Sequence, residues 1–168
     1  MTVARLLESK GDALAVRRFL YHTIRLTELF SGDGYTWRQD GTRGVREYVV
    51  ENKAKLNIRV LNVSLSARAS TPYFVDPLNR AVEQAWAAGI VVVAAAGNEG
   101  GGAETITVPG NDPYVITVGA LNTQRTAGVW SDDALPAWSS TGPTLDGFAK
   151  PDVIAPGGGI VSFMYSNA

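Results

Sequence analysis

A run of seven apolar residues at 90–96 (IVVVAAA) places the strongest constraint on the fold of this chain. A strand with one face in water alternates apolar and polar residues, whereas an unbroken apolar run of this length is typical of a strand buried on both faces. Such strands occur in parallel sheets that helices cover on both sides. The run therefore predicts an α/β fold with three layers, in which a mostly parallel sheet is flanked by helices.

The residues before this run predict a helix that packs beside the strand. Asp76 and Pro77 form a helix start, because a carboxylate N-cap accepts hydrogen bonds from the first backbone N–H groups and proline fits the first turn. Apolar residues recur at helical spacing over 77–88, and Gly89 suits a left-handed cap at the helix end. Together with a predicted strand over 58–65, these elements indicate a right-handed βαβ unit.

The remaining elements follow from the same patterns of spacing and turn residues. The interpretation gives a helix over 3–30 that Gly11 interrupts or splits, a loop over 31–44, a helix over 43–55, a strand over 114–120, and shorter extended pieces near 136–140, 152–154 and 160–163.

Composition excludes several classes of chemistry. The 168 residues include no cysteine and one histidine, His22, which excludes disulfides, thiolate nucleophiles and metal centres with several histidines. The net charge of −1 argues against strong nucleic-acid binding, and no apolar run approaches the ~20 residues that span a bilayer. The opening residues, MTVARLLESK, do not form a recognisable signal peptide. We therefore expect no metal ligand set and no nucleic-acid or membrane partner.

The loop that follows the central strand is the strongest candidate site, because open α/β sheets bind ligands at the carboxyl ends of their strands. Gly97 allows a sharp turn, and the neutral amide of Asn98 can donate to negative charge that develops on an oxygen. Two alternatives are open at this point. Asn98 could simply turn the loop, or residues 97–102 could bind a phosphate, although they lack the known glycine-rich patterns and contain Glu99.

Four collinear segments resemble the subtilisin-like serine peptidases of the S8 type. They are 45–66 (VREYVVENKAKLNIRVLNVSLS), 90–100 (IVVVAAAGNEG), 108–120 (VPGNDPYVITVGA) and 138–157 (WSSTGPTLDGFAKPDVIAPG). The resemblance implies an incomplete subtilisin-like fold. It divides the chain into a helical leader of uncertain relation, 1–44, and part of a subtilase catalytic domain, 45–168.

The resemblance also implies roles for individual residues. Asn98 would be the catalytic side-chain donor to the oxyanion. The extended segment that pairs with the substrate backbone would be Ser64, Leu65 and Ser66, although the common family pattern there is Ser-Leu-Gly. The pocket for the residue before the scissile bond would be lined by Ala94, Ala95, Ala96 and Gly97.

A second loop resembles one whose carbonyl groups bind a structural cation in some family members. Its residues here are Gly110, Asp112 and Val115, and an ordinary turn before a strand is the alternative interpretation. Apart from this cation, the resemblance implies no cofactor.

The three motifs that carry the catalytic triad in that family do not occur in this sequence. A serine peptidase needs a nucleophilic serine, a histidine base and an orienting aspartate, and His22 stands in Tyr-His-Thr-Ile rather than in a His-Gly-Thr-His motif. We therefore expect a fragment of a serine endopeptidase for peptide or protein substrates, inactive alone, with a complementing chain that bears the triad as a candidate partner.

Two other functions are left open by the sequence. The chain could be a non-catalytic peptide-binding module on the same scaffold, or a nucleotide-binding α/β domain. The resemblance suggests a secreted or cell-associated bacterial protein. Because an incomplete sheet exposes an edge and part of its core, we expect poor solubility or dependence on a partner.

Overall fold

The computed structural model describes residues 44–126 and 128–160. Within these ranges, four strands form one parallel sheet in the order β1-β2-β3-β4. The strands are β1 (Val60–Val63), β2 (Val91–Ala95), β3 (Ile116–Leu121) and β4 (Val153–Pro156). The helical elements are a π-helical segment (Gly44–Val50), α1 (Lys53–Leu56), a 3₁₀ turn (Tyr73–Val75) and α2 (Pro77–Ala87). The predicted α/β class, a mostly parallel sheet with helices, is confirmed.

Helix α2 begins and ends at the residues that the sequence indicates. The Asp76 carboxylate accepts hydrogen bonds from the backbone N–H groups of Leu78 at 2.9 Å and Asn79 at 3.4 Å. At the other end, Gly89 adopts a φ of +77°, which a residue with a side chain rarely adopts. The chain then turns directly into β2, where the N–H of Ile90 donates to the carbonyl of Ala85 at 3.0 Å.

The core lies between α2 and one face of the sheet. Small residues of α2 allow the helix backbone to approach the strands closely, and close packing stabilises both elements. The buried cluster contains Val45, Val63, Ala81, Val82, Ala85, Ile90, Val92, Ala94 and Val115. The Gly44–Val50 segment packs on α2 as well and contributes Val45 to the cluster.

Strand register brings the loops after β1 and β2 to the same edge of the sheet. Val63, the last residue of β1, is paired with Ala94, and Ala95 is paired with Val118 of β3. Because all four strands are parallel, the segments that follow Val63 and Ala95 emerge side by side.

The opposite face of the sheet carries exposed apolar side chains. Val92 and Ala94 point toward α2, so alternation places Val91 on the other face, and register adds Val60, Ile116 and Val153 to it. These four side chains are 42% to 50% exposed. An apolar face of this kind favours association with other apolar surfaces.

Three sequence predictions need correction. No strand forms at 136–140, where the carbonyl of Pro136 instead accepts from the N–H of Ser139 at 3.0 Å and closes a turn. The helix over 43–55 is divided into the Gly44–Val50 segment and α1. The first strand, predicted over 58–65, is only four residues long, because its pairing with β2 runs from Val60 to Val63.

The strands predicted over 90–96, 114–120 and 152–154 are confirmed with small shifts at their ends. The helix over 3–30, the loop up to residue 43 and the extended piece at 161–163 lie outside the described residues. None of the helices in the described ranges is long and apolar enough to cross a membrane.

The cap of α2 gives a direct test of this architecture. Replacing Asp76 by alanine removes the acceptor for two backbone N–H groups, so we expect the free energy of unfolding to fall by about 0.5–2 kcal/mol. Urea unfolding followed by circular dichroism measures this loss. Asp76→Asn keeps an oxygen acceptor and should retain most of the stability. Equal stability of the alanine variant and the wild type would contradict the role of this cap.

The apolar sheet face predicts concentration-dependent association of the purified chain. A Val91→Thr/Val153→Thr double variant makes this face more polar at nearly constant shape, so we expect weaker association by light scattering. Val129→Thr changes an exposed valine outside the sheet and should leave association unchanged. A wild-type chain that stays monomeric at high concentration would argue against the prediction.

Candidate functional site

The chain turns sharply after β2 at Gly97, where no other residue fits. Gly97 has a φ of +111°, and a Cβ placed there would lie 2.5 Å from Thr107 Cγ2 and 2.9 Å from Ser140 Oγ. Thr107 also holds the preceding residue, because its N–H and its hydroxyl donate to the Ala96 carbonyl at 2.9 Å and 3.1 Å. The backbone that enters the loop is therefore held in one conformation.

The loop is held on both sides of Asn98 by the segment around Ser140. The backbone N–H of Ser140 donates to the Gly97 carbonyl at 3.1 Å, and the Ser140 hydroxyl accepts from the N–H of Glu99 at 3.0 Å. One residue further on, the N–H of Gly100 donates to the Trp138 carbonyl at 3.0 Å. Ser140 is fully buried. Sequence reasoning did not identify this role of Ser140, because a serine offers no local signal for a partner 41 residues away.

The side chain of Asn98 is exposed, and no described residue hydrogen-bonds its amide. It extends from a fixed loop at the carboxyl end of the central strand, at the edge that the sequence indicated. A free amide on a rigid backbone can donate to an oxygen that gains negative charge, and little reorganisation is needed when the charge develops.

The segment Ser64, Leu65 and Ser66 extends from the end of β1, beside the loop that contains Asn98. Asn62 Nδ2 donates to Ser64 Oγ at 2.9 Å, and beyond the segment Ala67 forms an antiparallel bridge with Val108. No described residue hydrogen-bonds the backbone of Leu65 or Ser66. Within the described part of the chain, the backbone donors and acceptors of these two residues are therefore without partners.

The small residues at the end of β2 differ in how far they are exposed at this edge of the sheet. Ala94 packs in the core cluster, and Ala96 and Gly97 are buried, whereas Ala95 is only half-buried. A small cleft of about 130 Å³ lies beyond them, between the chain after Ala67 and the loop after Asn98. Its lining includes Arg68, Ala69, Glu99, Glu104, Thr105 and Ile106, of which the sequence had brought only Glu99 into a candidate site, the loop 97–102.

In the loop of Gly110, Asp112 and Val115, oxygen atoms that could bind a cation already accept hydrogen bonds from other groups of the chain. The Gly110 carbonyl accepts from Thr117 Oγ1 at 2.6 Å, and the Val115 carbonyl accepts from Lys150 Nζ at 2.8 Å. Asp112 Oδ1 accepts from the N–H of Tyr114 at 2.9 Å. The residues that the structure describes contain no group of three or more His, Cys, Asp or Glu side chains that could hold a metal ion.

Asp112 is the most perturbed acidic group in the described chain. Its side chain is fully buried, and Oδ2 makes no hydrogen bond with any described residue. Burial raises the pKa of Asp112 to about 7, and the negative charge of Glu83 adds to this effect. The N–H of Tyr114 and the charge of Lys150 act in the opposite direction but do not outweigh burial.

The raised pKa of Asp112 predicts an unusual pH dependence of stability. Between about pH 4 and about pH 7 the folded chain holds a proton that the unfolded chain has lost, so the free energy of unfolding falls as pH rises through this window. Near the middle of this pH window, the free energy of unfolding falls by ~1.4 kcal/mol per pH unit. Asp112→Asn should remove this slope in urea unfolding measured across the window. Glu99→Gln, a change of an exposed carboxylate, should keep it, and an identical slope in wild type and Asp112→Asn would refute the assignment.

Comparison with known proteins identifies the family to which this chain belongs. The profile of the subtilase family, peptidase family S8, matches residues 25–167. The chain is 53% identical over 93 residues to serine protease AprX of Bacillus subtilis (strain 168), a match that covers 55% of this chain and 21% of AprX. It is 32% identical over 163 residues to subtilisin E of the same strain, which covers 96% of this chain and 36% of that protein.

Solved structures agree with this relationship. Sphericase and the S41 psychrophilic protease each superpose with a TM-score of 0.56 and 25% identity, over 70% of this chain and 38% of theirs. The chain thus spans well under half of the length of each of these four relatives. Since the family profile covers most of its residues, we conclude that this chain belongs to the subtilase family of serine peptidases.

Proposed function

We propose that this chain is the part of a subtilisin-like serine endopeptidase that holds the peptide substrate and stabilises the oxyanion. The observation that carries the proposal is the exposed amide of Asn98, which bonds none of the described residues, on a loop fixed at both sides by Ser140. Membership of the subtilase family supports peptide or protein substrates.

The reaction would be acyl transfer at a peptide carbonyl. A histidine base takes the serine proton as the serine oxygen attacks the carbonyl carbon, and the carbonyl oxygen gains negative charge. The carbon–nitrogen bond then breaks as the histidine gives this proton to the leaving amine, and water hydrolyses the acyl-enzyme that remains. Asn98 would donate from Nδ2 to that oxygen. Because hydrogen bonds from Ser140 and Gly100 already hold the loop, the donor would act without a conformational cost at that moment.

The substrate would bind as an added strand along Leu65 and Ser66. Free backbone groups at these residues can pair with an extended peptide, and such main-chain pairing tolerates many side-chain sequences. The bridge between Ala67 and Val108 limits this strand at one end. Ser66 replaces the glycine of the common family pattern, so the bound peptide would have to accommodate its side chain.

The catalytic triad would come from residues that this sequence does not contain in recognisable motifs. The sequence contains one histidine, His22, which is not in a triad motif, and no serine in a nucleophile motif. We therefore propose that the chain alone does not hydrolyse peptides and that a complementing polypeptide supplies the aspartate, histidine and serine.

One alternative function has an observation in its favour. Because Leu65 and Ser66 offer free backbone groups and the sequence has no triad motif, the chain would also suit a module that binds extended peptides without cleaving them. A nucleotide site at 97–102 is not favoured, because phosphate loops of that kind lead into a helix and none lies between β2 and β3.

The isolated chain provides the first test. We expect no hydrolysis of a chromogenic peptide amide and no covalent labelling by a fluorescent serine-directed phosphonate, with subtilisin measured in parallel as the positive control. Hydrolysis that the phosphonate abolishes would contradict the proposed inactivity. Titration with an unlabelled extended peptide, followed by NMR, should shift the amide signals of Leu65 and Ser66, and unchanged signals would argue against substrate binding at this segment.

The role of Asn98 can be tested in an active complex. The chain is co-expressed with a polypeptide that supplies the triad segments of a subtilase, and hydrolysis of the same amide is measured. Asn98→Ala should lower kcat by about 10²–10³-fold with little change in KM, the loss known for the oxyanion asparagine of subtilisin. Gln84→Ala, an exposed change on α2, should leave kcat unaltered. Full activity of Asn98→Ala would remove Asn98 from the mechanism.

A further inference from the structure

Lys150 is a lysine whose ammonium group lies inside the protein. Its side chain is 4% exposed, and Nζ donates to the Val115 carbonyl at 2.8 Å and to Asp152 Oδ2 at 2.7 Å. A buried ammonium is costly unless charged or polar acceptors surround it, so this arrangement has to be stabilised by both partners.

Asp152 supplies the compensating negative charge. Burial alone would raise its pKa, but hydrogen bonds from Lys150 and from the N–H of Thr117 outweigh burial and hold the pKa of Asp152 below its usual value. The Thr117 N–H donates to the same oxygen, Oδ2, at 2.7 Å. Lys150 and Asp152 therefore join the chain before β4 to the start of β3, on either side of Ile116.

This cluster occupies the loop at which the family resemblance implies a structural cation. The carbonyl of Val115 is taken by the Lys150 ammonium, and the carbonyl of Gly110 is taken by the hydroxyl of Thr117 at 2.6 Å. A metal ion on the Val115 carbonyl would lie within a few ångströms of a buried positive charge and would be repelled by it. The carbonyl groups of Gly110 and Val115 therefore do not fit a metal ion.

We propose that the Lys150 ammonium is a built-in cation that replaces a bound metal ion at the loop of Gly110, Asp112 and Val115. It supplies a positive charge to a loop carbonyl and a carboxylate, as a metal ion would, but it is covalently attached. The order of this loop is then independent of calcium, sodium or potassium in the solution. This inference does not depend on the role of Asn98.

Hydrogen exchange of the full chain tests the proposal locally. In the wild type, amide exchange over 108–118 should be the same with a chelator, with millimolar calcium and with potassium. In Lys150→Met, the same segment should exchange at least tenfold faster in chelator, and added calcium or potassium should slow it again. Lys55→Met removes an exposed lysine and serves as the matched control, with no change expected at 108–118.

Three results would overturn the proposal. The first is slower exchange over 108–118 in the wild type when calcium or potassium is added. The second is a Lys150→Met variant that exchanges like the wild type. The third is faster exchange in that variant that no cation reverses, which would leave only an ordinary buried ion pair.

If Lys150→Met does not fold, terbium luminescence of the wild type decides the question. We expect no terbium signal that calcium displaces and that alters amide exchange over 108–118, and this result would support the built-in cation. Such a signal, with protection at those amides, would overturn it. Failure of Asn98→Ala to affect catalysis would leave all of these measurements unchanged.

Discussion

The packing of α2 on β2 is the contact on which the rest of the structure depends. Ala81, Val82 and Ala85 of α2 share one buried cluster with Val92 and Ala94 of β2, and none of these five side chains is larger than valine. This close approach fixes β2 at the centre of the sheet, and register with β2 then sets the positions of β1 and β3. The segments that form the candidate site are continuations of these strands, so their spacing is inherited from the core.

The sequence predicted the elements whose signals are local. The apolar run at 90–96 indicates a strand of a parallel sheet by itself, Asp76 and Pro77 mark the start of α2, and Gly89 marks its end. The expected burial of that strand on both faces was wrong for the described residues, since Val91 is 47% exposed. The extended piece at 136–140 was wrong because its conformation is set by distant partners: Ser139 Oγ accepts from the N–H of Ala120, and Ser140 bonds the loop after β2. Such pairings leave no periodic pattern in the sequence.

In the candidate site, too, the features with local sequence signals were predictable and those that depend on distant residues were not. The position of Asn98 at the end of a buried strand was predictable, because the strand and the turn residue lie next to it in sequence. Two features were not: the free backbone at Leu65 and Ser66, which depends on where strand pairing stops, and the ammonium of Lys150, which reaches a carbonyl 35 residues away. Both are consequences of register and long-range packing, which composition and spacing do not encode.

The bonds between Ser140 and the loop around Asn98 also determine when that loop acquires its shape. The hydroxyl of Ser140 reaches the N–H of Glu99 across 41 residues, and contacts of high sequence separation form late because a long segment must first be closed. On a ribosome, β2 and α2 would be complete well before residue 140 has been made. The strand is thus an early product of folding, whereas the fixed backbone of the loop around Asn98 is one of its last.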